Sequence, residues 1–486
     1  MLHRYAAASL LLLLTAWGTA RTDDTALRRQ AAEALRKATD FFSQKVSTEG
    51  GYLWRYSDDL AKREGEGPAT ATMVWVQPPG TPSVGMALLE VYRDTGDPYY
   101  LDIAKKAGHC LVRGQLRSGG WDYRIEFDPA KRAAYAYRVD PPVAKKQQRN
   151  TTTLDDNTTQ AALRLLMELD KTLGFKDETI HGAAQYALDC LLKAQYPNGA
   201  WPQRYEEFPD PAKFPVKRAS YPDSWSRTFP GIKYSSFYTF NDNAMNDVID
   251  VMFLATDIYG EPRYRQAAER AGDFILLAQM PEPQPAWAQQ YDAQMRPAWA
   301  RKFEPPAVTG GESQGVLRTL MQLYAKTGNK KYLEPIPRAI EYLRRSQLHD
   351  GRLARFYELR TSRPLYFTKD YQLTYSDADM PTHYAFKVPN GLDRLQRAYE
   401  ELLKADPREL AQKRRRNRSA SKPSSAMIAQ VKKVIAALDD QGRWVEDGKL
   451  RYQPEGDASS RVIDCRTFIS NVRLLGQYLA STGGNQ

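Results

Sequence analysis

Two aspartates occupy matching places in successive repeats of the sequence, and each is followed directly by an asparagine. Asp156 lies 18 residues before Gly174, and Asp242 lies 18 residues before Gly260. Both aspartates precede an apolar pattern that predicts a helix, and each glycine stands where a helix should end. The spacing therefore predicts two acid-amide pairs at the same end of neighbouring helices.

Carboxylates at this end of the helices could hold a cation. Asp155 adds a second acid beside Asp156, and Glu312 lies near the matching place of a later repeat. Clustered carboxylates repel one another, and a bound hard cation such as calcium relieves that repulsion. The sequence therefore predicts a calcium site formed by Asp155, Asp156 and Asp242, and leaves open which of the first two binds the metal. Helix capping is the structural alternative, because Asp and Asn are favoured at helix N-termini.

A cation site of this kind suits cleavage of a uronic acid polymer by β-elimination. The reaction removes the proton beside the sugar carboxylate, and a cation on that carboxylate stabilises the enolate that develops. A base must also stand within hydrogen-bond reach of the carbon. Basic residues on loops expected at the same end include Arg204, Arg301, Arg355, Arg363 and Lys369. Glycoside hydrolysis would instead require two carboxyl groups across the bond, and Asp155 or Asp156 with Asp242 could serve.

The elements that must position these residues form a repeat. Four times a helical stretch ends in a glutamine, a short turn follows and an aromatic-rich segment comes next; the glutamines are Gln115, Gln195, Gln279 and Gln347. Each repeat contains, in order, a helix, a glycine turn, a second helix, an aromatic turn and a long loop. This order is typical of a ring of helical hairpins. We therefore expect an all-α fold with long loops on one face, where sites usually lie. After Gln195, we expect Trp201, Arg204 and Tyr205 to contact sugar.

Composition indicates an ordinary globular protein with an acidic partner. The chain has 486 residues, of which 42% are hydrophobic and 26% charged, and its net charge is +11. No nucleic-acid-binding module is visible, and no segment reaches the apolar length of a membrane span. An acidic polysaccharide is thus the expected partner, with neither nucleic acid nor stable membrane insertion.

The first residues have the pattern of a signal peptide, with Arg4 ahead of an apolar run and small residues at 18–20. We therefore expect a secreted or periplasmic protein. The expected divisions of the chain are a signal peptide at 1–20, a ring-shaped catalytic domain at 21–395, a basic linker at 396–425 and a helical segment at 426–486 that closes the ring.

Two of the three cysteines share one slot of the repeat. Cys110 lies five residues before Gln115, and Cys190 lies five before Gln195. The third repeat has Phe274 there, which indicates an apolar packing position. Buried free cysteines are the preferred interpretation, and a bridge between Cys110 and Cys190 is the alternative.

Three segments of the chain resemble the pectate lyases of polysaccharide lyase family 10, the pectic acid lyases. They are residues 155–160 (DDNTTQ), 195–203 (QYPNGAWPQ) and 238–245 (YTFNDNAM). The resemblance implies an incomplete (α/α) toroid, calcium-assisted β-elimination of polygalacturonate and an arginine in the position of the base. It also places Asp155 or Asp156 and Asp242 at the calcium ion.

Further roles rest on the same resemblance. Arg301 is the best match for the base. The substrate-binding residues expected from the resemblance and from the aromatic turn are Asn157, Trp201, Arg204, Tyr205, Asn243, Arg363, Lys369 and Asp370. The segment 210–238 is an insertion that the resemblance does not explain. Two other classes stay open: a glycoside hydrolase acting on glycans that contain uronic acid, and a non-catalytic protein that binds acidic glycans.

Overall fold

Helices provide most of the regular structure in a computed structural model that describes residues 25–142, 148–405, 422–453, 457 and 459–482. The helices are α1 (25–41), α2 (Thr81–Thr95), α3 (Pro98–Gly114), α4 (Pro129–Arg132), α5 (Thr158–Thr172), α6 (Glu178–Ala194), α7 (Ala244–Tyr259), α8 (Pro262–Ala278), α9 (Gly310–Thr327), α10 (Ile336–Arg345), α11 (Leu392–Lys404), α12 (Ser425–Ala436) and α13 (Cys465–Thr482). The predicted signal peptide and the centre of the predicted linker lie outside the described residues.

The strands are short and lie between the helices. They are β1 (Arg55–Ser57), β2 (Arg63–Glu64), β3 (Met73–Trp75), β4 (Arg124–Glu126), β5 (Thr152–Thr153), β6 (Arg204–Tyr205), β7 (Tyr238–Thr239), β8 (Gln290–Tyr291), β9 (Ala307–Thr309), β10 (Leu353–Ala354), β11 (Phe356–Glu358), β12 (Pro364–Phe367), β13 (Leu373–Thr374), β14 (Lys387–Val388), β15 (Glu446–Asp447) and β16 (Arg461–Asp464). The larger sheets have the orders β15-β16-β1-β2 and β13-β12-β11-β9, and the strand pairs are β3-β4, β5-β6, β7-β8 and β10-β14.

The chain forms two compact units by its internal contacts. The first consists of the described residues of Met1–Gly114, Arg124–Ala133 and Ser419–Gln486, and the second those of Gln115–Tyr123 and Ala134–Arg418. In the first unit α2 packs on α3 and α13, and α12 packs on α13. In the second unit α5, α7 and α9 each pack on the helix that follows them in sequence. The domain division predicted from the sequence stays a prediction.

Antiparallel strand pairs close the hairpins of the second unit. The strand before the first helix pairs with the strand after the second helix, so that β5 pairs with β6 around α5 and α6. The same closure joins β7 to β8 around α7 and α8, and β9 to β11 around α9 and α10. In the first unit β3 and β4 close α2 and α3 in this way. Each hairpin therefore returns the chain to the end of the helices from which it started.

The repeated glutamine joins a turn to the next hairpin. Nε2 of Gln195 donates to the carbonyl oxygen of Gly199 in its own turn and to that of Ala267 in α8, both at 2.9 Å. Gln115 and Gln279 make the matching pairs of hydrogen bonds. A buried amide satisfies two carbonyl groups that would otherwise be costly to bury.

Apolar periodicity accounts for the helices. In α5 the residues Ala162, Leu163, Leu166 and Leu169 are buried, at the three- and four-residue spacing of one helix face. Left-handed glycines end the first helices of hairpins as the sequence predicted, for example Gly260 after α7 and Gly328 after α9. Both units are thus built from antiparallel helical hairpins, the elements of an (α/α) toroid, and the predicted all-α fold class is confirmed.

Two further expectations concern cysteines and membrane spans. Cys110, Cys190 and Cys465 are buried and free, which confirms the preferred interpretation. Among the described helices, none combines the length and apolar character that crossing a bilayer demands.

Candidate active site

Two turns with the same backbone conformation carry the matched aspartates. Asp156 has φ 49° and ψ 34° in the turn before α5, and Asp242 has φ 46° and ψ 35° in the turn before α7. The next residue is left-handed in each case, with φ 58° at Asn157 and 57° at Asn243. The two turns contact each other. The repeat seen in the sequence is therefore a repeat in space.

Neither asparagine caps its helix with its side chain. Asn157 and Asn243 are the N-cap residues of α5 and α7, and neither side chain accepts a capping hydrogen bond. Left-handed conformations of non-glycine residues cost about 1–3 kcal/mol each, and such costs cluster at functional sites. The capping alternative is therefore wrong for these two residues.

The turns bring three carboxylates together. Asp155, Asp156 and Asp242 each place an oxygen within 4.8 Å of the others. Oδ1 of Asp155 and Oδ1 of Asn157 are buried, and the described residues supply no hydrogen-bond partner for either. Buried acceptors without donors are costly, and a hard cation prefers oxygen ligands of this kind. These residues could hold a metal ion, as the sequence predicted.

A tyrosine and an arginine bind the buried Asp155. The Tyr123 hydroxyl donates to Oδ2 of Asp155 at 2.8 Å, and Nη2 of Arg204 donates to that oxygen at 3.1 Å. Arg204 also donates to the Tyr123 hydroxyl at 2.9 Å. Burial and the charge of Asp155 raise the pKa of Tyr123, so its phenol stays protonated. Nε of Arg204 is buried without a partner in the described part of the chain, which leaves one donor for a ligand.

The pKa of Asp242 is raised to about 6. Burial among the surrounding loops is the largest cause, and the charges of Asp155, Glu312 and Glu304 act in the same direction. Arg301 opposes them. Protein atoms crowd the region around the Asp242 carboxyl group. The residue nevertheless remains exposed to solvent. Asp242 thus belongs to a region of excess negative charge, which a cation would neutralise.

One carboxylate binds the Nε–Nη2 edge of the Arg301 guanidinium through two hydrogen bonds. Nε of Arg301 donates to Oε2 of Glu304 at 2.8 Å, and Nη2 donates to Oε1 at 2.6 Å. Burial acts to lower the pKa of Arg301, but the hydrogen bonds and charge of Glu304 outweigh it and raise that pKa above its ordinary value. Arg301 is therefore cationic in this arrangement, which opposes the role of a base.

Further groups connect Glu304 to the Asp242 side of the acidic cluster. Gln289 donates to Oε1 of Glu304 at 2.7 Å and to Oδ1 of Asn241 at 2.8 Å, and Asn241 donates in turn to Asp242. The Tyr384 hydroxyl donates to Oε1 of Glu304 at 3.0 Å. The Arg301 guanidinium is 5.5 Å from the centre of the Tyr384 ring. One hydrogen-bonded network thus reaches from Arg301 to the carboxylates.

Arg355 extends this network to Glu312. Nη1 of Arg355 donates to Oε1 of Glu312 at 2.9 Å and to the Tyr384 hydroxyl at 3.3 Å. Oε2 of Glu312 is buried and has no partner among the described residues. The charge of Glu312 acts on Asp242, which places this acid beside the cluster, as the sequence indicated.

Sequence reasoning missed Tyr123, Glu304 and Tyr384. Tyr123 stands in the aromatic turn of the first repeat, at the place that Gln289 and Arg355 hold in later turns. The side chains of Tyr123, Gln289 and Arg355 all reach the acidic loops. Comparison of the turns with one another could have found Tyr123. Glu304 and Tyr384 have no such repeat signal.

Trp201 and Tyr205 do not reach the acidic cluster. Trp201 is 1% exposed, and its indole Nε1 donates to the carbonyl oxygen of Leu191 in α6 at 2.8 Å. Tyr205 is 6% exposed. The prediction that they bind sugar is therefore wrong, because both rings fill the core beneath the turn. Arg204, between them in β6, does reach the acidic cluster.

Three other predicted residues lie on exposed loops away from the cluster. The Arg363 guanidinium lies 3.5 Å from the centre of the Tyr375 ring, and Lys369 forms an ion pair with Asp379 at 3.3 Å. Asp370 is exposed. No contact within the described residues joins any of them to the three carboxylates. Asn157 and Asn243, in contrast, adjoin the carboxylates directly.

Residues 129–326 match the family model described as pectic acid lyase. This segment contains both left-handed turns, Arg204, Arg301 and Glu304. The match confirms the resemblance found in the sequence and supports a polysaccharide lyase. No curated protein matches the chain.

Solved structures similar to the chain include a family 10 polysaccharide lyase from Cellvibrio cellulosa and a mutant of that enzyme in complex with trigalacturonic acid. Each is 21% identical, has a TM-score of 0.44 and covers 61% of this chain and 92% of its own. A GH76 α-mannanase from Bacteroides thetaiotaomicron is 9% identical, has a TM-score of 0.41 and covers 93% of this chain and 95% of its own.

Proposed function

We propose that the protein is a lyase that cleaves polygalacturonate, or a closely related acidic polysaccharide, by calcium-assisted β-elimination. The observation that carries this proposal is the cluster of Asp155, Asp156 and Asp242, whose oxygens approach within 4.8 Å. Arg204 adjoins the cluster, and the charge of Arg301 acts on it. The match of residues 129–326 to the pectic acid lyase model supports the same reaction class.

The metal would be held by Asp155, Asp156 and Asp242. Asn157 offers a further oxygen, since its buried Oδ1 finds no hydrogen-bond partner in the described structure. A bound calcium ion supplies positive charge that neutralises the substrate carboxylate and makes the neighbouring C–H more acidic. The hard oxygen ligands and the absence of histidine or cysteine from this group favour calcium or magnesium over zinc.

The cationic side chains orient the substrate. A uronate carboxylate would accept hydrogen bonds from Arg204, whose Nε has no partner within the described residues. Charge-assisted hydrogen bonds of this kind are about twice as strong as neutral ones. In its cationic form Arg301 would stabilise the negative charge that develops as the C5 proton leaves, which is the alternative to its role as base. Asn157 and Asn243 flank the same place with neutral amides.

Removal of the C5 proton is the step for which the resemblance predicts Arg301 as base. A neutral Arg301 would accept that proton at a guanidinium nitrogen, and the C4–O bond would break as the C4–C5 double bond forms, with the leaving oxygen taking a proton from water. Glu304 must first release the guanidinium, because its two hydrogen bonds stabilise the protonated form. The proposal therefore requires Glu304 to control the protonation of Arg301.

A glycoside hydrolase is the second candidate, and the raised pKa of Asp242 favours it. A carboxyl group with a pKa of about 6 can act as a general acid near neutral pH. Asp155, which forms an ion pair with Arg204 at 3.1 Å, would then be the second carboxylate. A hydrolase releases saturated sugars, whereas a lyase releases products with a C4–C5 double bond that absorbs ultraviolet light.

Incubation with polygalacturonate tests the proposal. We expect ultraviolet absorbance to rise in the presence of calcium, to stop after addition of EDTA and to return when calcium is restored. Full activity in excess EDTA would refute the role of calcium, and saturated products would establish the hydrolase. Binding of the polymer without products would instead support a glycan-binding protein.

We also propose that the protein is exported, on the pattern of residues 1–20, which lie outside the described structure. N-terminal sequencing of protein recovered from the periplasm or medium of expressing bacteria tests this. A mature chain that begins near residue 21 is the expected result, and full-length protein confined to the cytoplasm would refute it.

A further inference from the structure

The segment 206–237, here called the strap, connects β6 to β7 and includes most of the insertion that the sequence resemblance left unexplained. Its regular structure is one short 3₁₀ turn, Pro211–Lys213. Prolines and polar residues make up much of the rest. A segment of this length with so little secondary structure is usually functional in a folded domain.

The end of the strap is bonded to the turn that carries Arg204. The backbone N–H of Arg204 donates to the carbonyl oxygen of Ser235 at 3.3 Å. The Tyr196 hydroxyl donates to the carbonyl oxygen of Ser236 at 2.7 Å. These bonds hold the residues that follow Tyr234 beside β6.

The middle of the strap is bonded to the loop that carries Arg301. The indole N–H of Trp299 donates to the carbonyl oxygen of Ser226 at 2.8 Å, and the ring of Phe229 lies 5.8 Å from that of Trp299. Arg227 forms an ion pair with Glu358 at 2.6 Å. The strap therefore joins the loop of Arg204 to the loop of Arg301, the two cationic sides of the candidate site.

Tyr234 is the strap residue next to Ser235, whose carbonyl oxygen accepts the backbone N–H of Arg204. The charges of Arg301, Glu304, Arg204 and Asp155 all act on its hydroxyl. The residue is half-buried, yet the described residues provide no hydrogen bond to this hydroxyl. Tyr234 therefore offers an unpaired donor near the two arginines.

We propose that Tyr234 contacts the substrate, and that its hydroxyl donates a hydrogen bond to a uronate residue bound between Arg204 and Arg301. This inference rests on the proposed function for the chemistry of its ligand. It gives the strap a definite role, because the same segment that ties the two loops together also completes the binding site. The strap then helps to select polymers of uronic acid.

Tyr234→Phe tests the inference, with Tyr221→Phe as the matched control. Tyr221 lies on the same strap, and its hydroxyl donates to the carbonyl oxygen of Pro281 at 3.0 Å, away from the acidic cluster. KM and kcat would be measured on polygalacturonate with calcium. Binding of trigalacturonate would be measured by calorimetry in an Arg301→Lys background, which keeps a cation beside the bound uronate and separates binding from turnover.

We expect Tyr234→Phe to weaken trigalacturonate binding about tenfold and to raise KM by a similar factor, with kcat within about twofold of the parent, as for loss of one hydrogen bond to a charged group. Tyr221→Phe should leave both quantities unchanged, and both variants should retain the parent melting temperature. Unchanged binding by Tyr234→Phe would overturn the inference. So would an equal loss in Tyr221→Phe, since that indicates general loosening of the strap.

The outcomes separate this inference from the proposed function. If the protein forms unsaturated product and Tyr234→Phe behaves as the parent does, the lyase activity is supported and the substrate contact of Tyr234 is refuted. If no product forms but trigalacturonate binding depends on the Tyr234 hydroxyl, the substrate contact is supported and the lyase activity is refuted. A parent protein that neither binds nor cleaves the trimer would overturn both.

Discussion

Asp156 and Asp242, 86 residues apart, have left-handed backbone conformations that agree within a few degrees, with φ 49° and ψ 34° in one and φ 46° and ψ 35° in the other. Each stands one residue before the N-cap of the first helix in a hairpin. The hairpin repeat thus reproduces the same strained turn twice and brings the two carboxylates into one group. A site assembled in this way depends on both turns.

Asp242→Asn should weaken calcium binding by at least about tenfold and abolish most activity. The substitution removes one ligand charge while Asn still tolerates the left-handed backbone. Loss of a group that merely supports a metal ligand already costs about 10–100-fold in affinity. Calorimetry with calcium on metal-free protein measures the effect.

The control for that variant is Asp257→Asn near the other end of α7, where Asp257 pairs with Lys326 at 2.9 Å. It should bind calcium as the parent does. Parent-like calcium affinity in Asp242→Asn would remove Asp242 from the metal site.

Asn243→Val should lower the free energy of unfolding by about 1–2 kcal/mol, because β-branched side chains clash in the left-handed conformation at φ 57°. Asn243→Gly should remain within a few tenths of a kcal/mol of the parent, since glycine adopts this conformation freely. Urea denaturation of both variants measures the difference. Equal free energies of unfolding for the Asn243→Val and Asn243→Gly variants would show that the turn changes its conformation without an energetic cost.

Glu304→Gln should shift the pH profile of the reaction to lower pH if Arg301 is the base. Glu304 raises the pKa of Arg301 through two hydrogen bonds and its charge, while burial acts to lower it. Removal of the negative charge leaves Asp242 and Tyr384 to oppose the effect of burial, so the pKa of Arg301 falls and a larger fraction of Arg301 is neutral at any given pH. The pH dependence of kcat/KM measures the shift.

Glu261→Gln is the matched control for that experiment. Glu261 also pairs with an arginine, Arg263, at 2.6 Å, but no contact among the described residues joins it to the three carboxylates. Its profile should match that of the parent. An unshifted profile in Glu304→Gln with reduced kcat would assign Arg301 to charge stabilisation instead of proton transfer.

Trp201→Phe should lower stability and leave KM unchanged. The variant loses the hydrogen bond from the indole N–H to Leu191, worth about 1 kcal/mol, together with part of a buried ring. Thermal unfolding and steady-state kinetics would be measured on the same preparation. A raised KM at parent stability would return Trp201 to the substrate-binding residues.

Local repetition explains what the sequence could predict. The helices follow from apolar periodicity, and alignment of the repeated glycines is enough to place Asp156 against Asp242. The aromatic turn could not be interpreted in the same way, because an aromatic residue at a turn can face either core or solvent. Trp201 faces the core, where the carbonyl oxygen of Leu191 in α6 accepts its indole N–H.

Non-local pairing explains what the sequence could not predict. Glu304 lies three residues from Arg301 in the same loop, and its bidentate hydrogen bonds change the chemistry expected of that arginine. Tyr384 reaches Glu304 from 80 residues away. Such contacts follow from how the loops pack, and the spacing of residues along the chain does not encode them.

The closing strand pairs separate the architecture of the hairpins from the length of the loops between them. Each pair fixes where a loop leaves one hairpin and enters the next, as β6 and β7 do for residues 206–237. A longer or shorter loop can therefore replace the existing one without moving the helices. Loops could therefore be exchanged to change substrate specificity. Loops grafted between the same strand ends should alter which sugar is bound, while the carboxylate cluster stays in place.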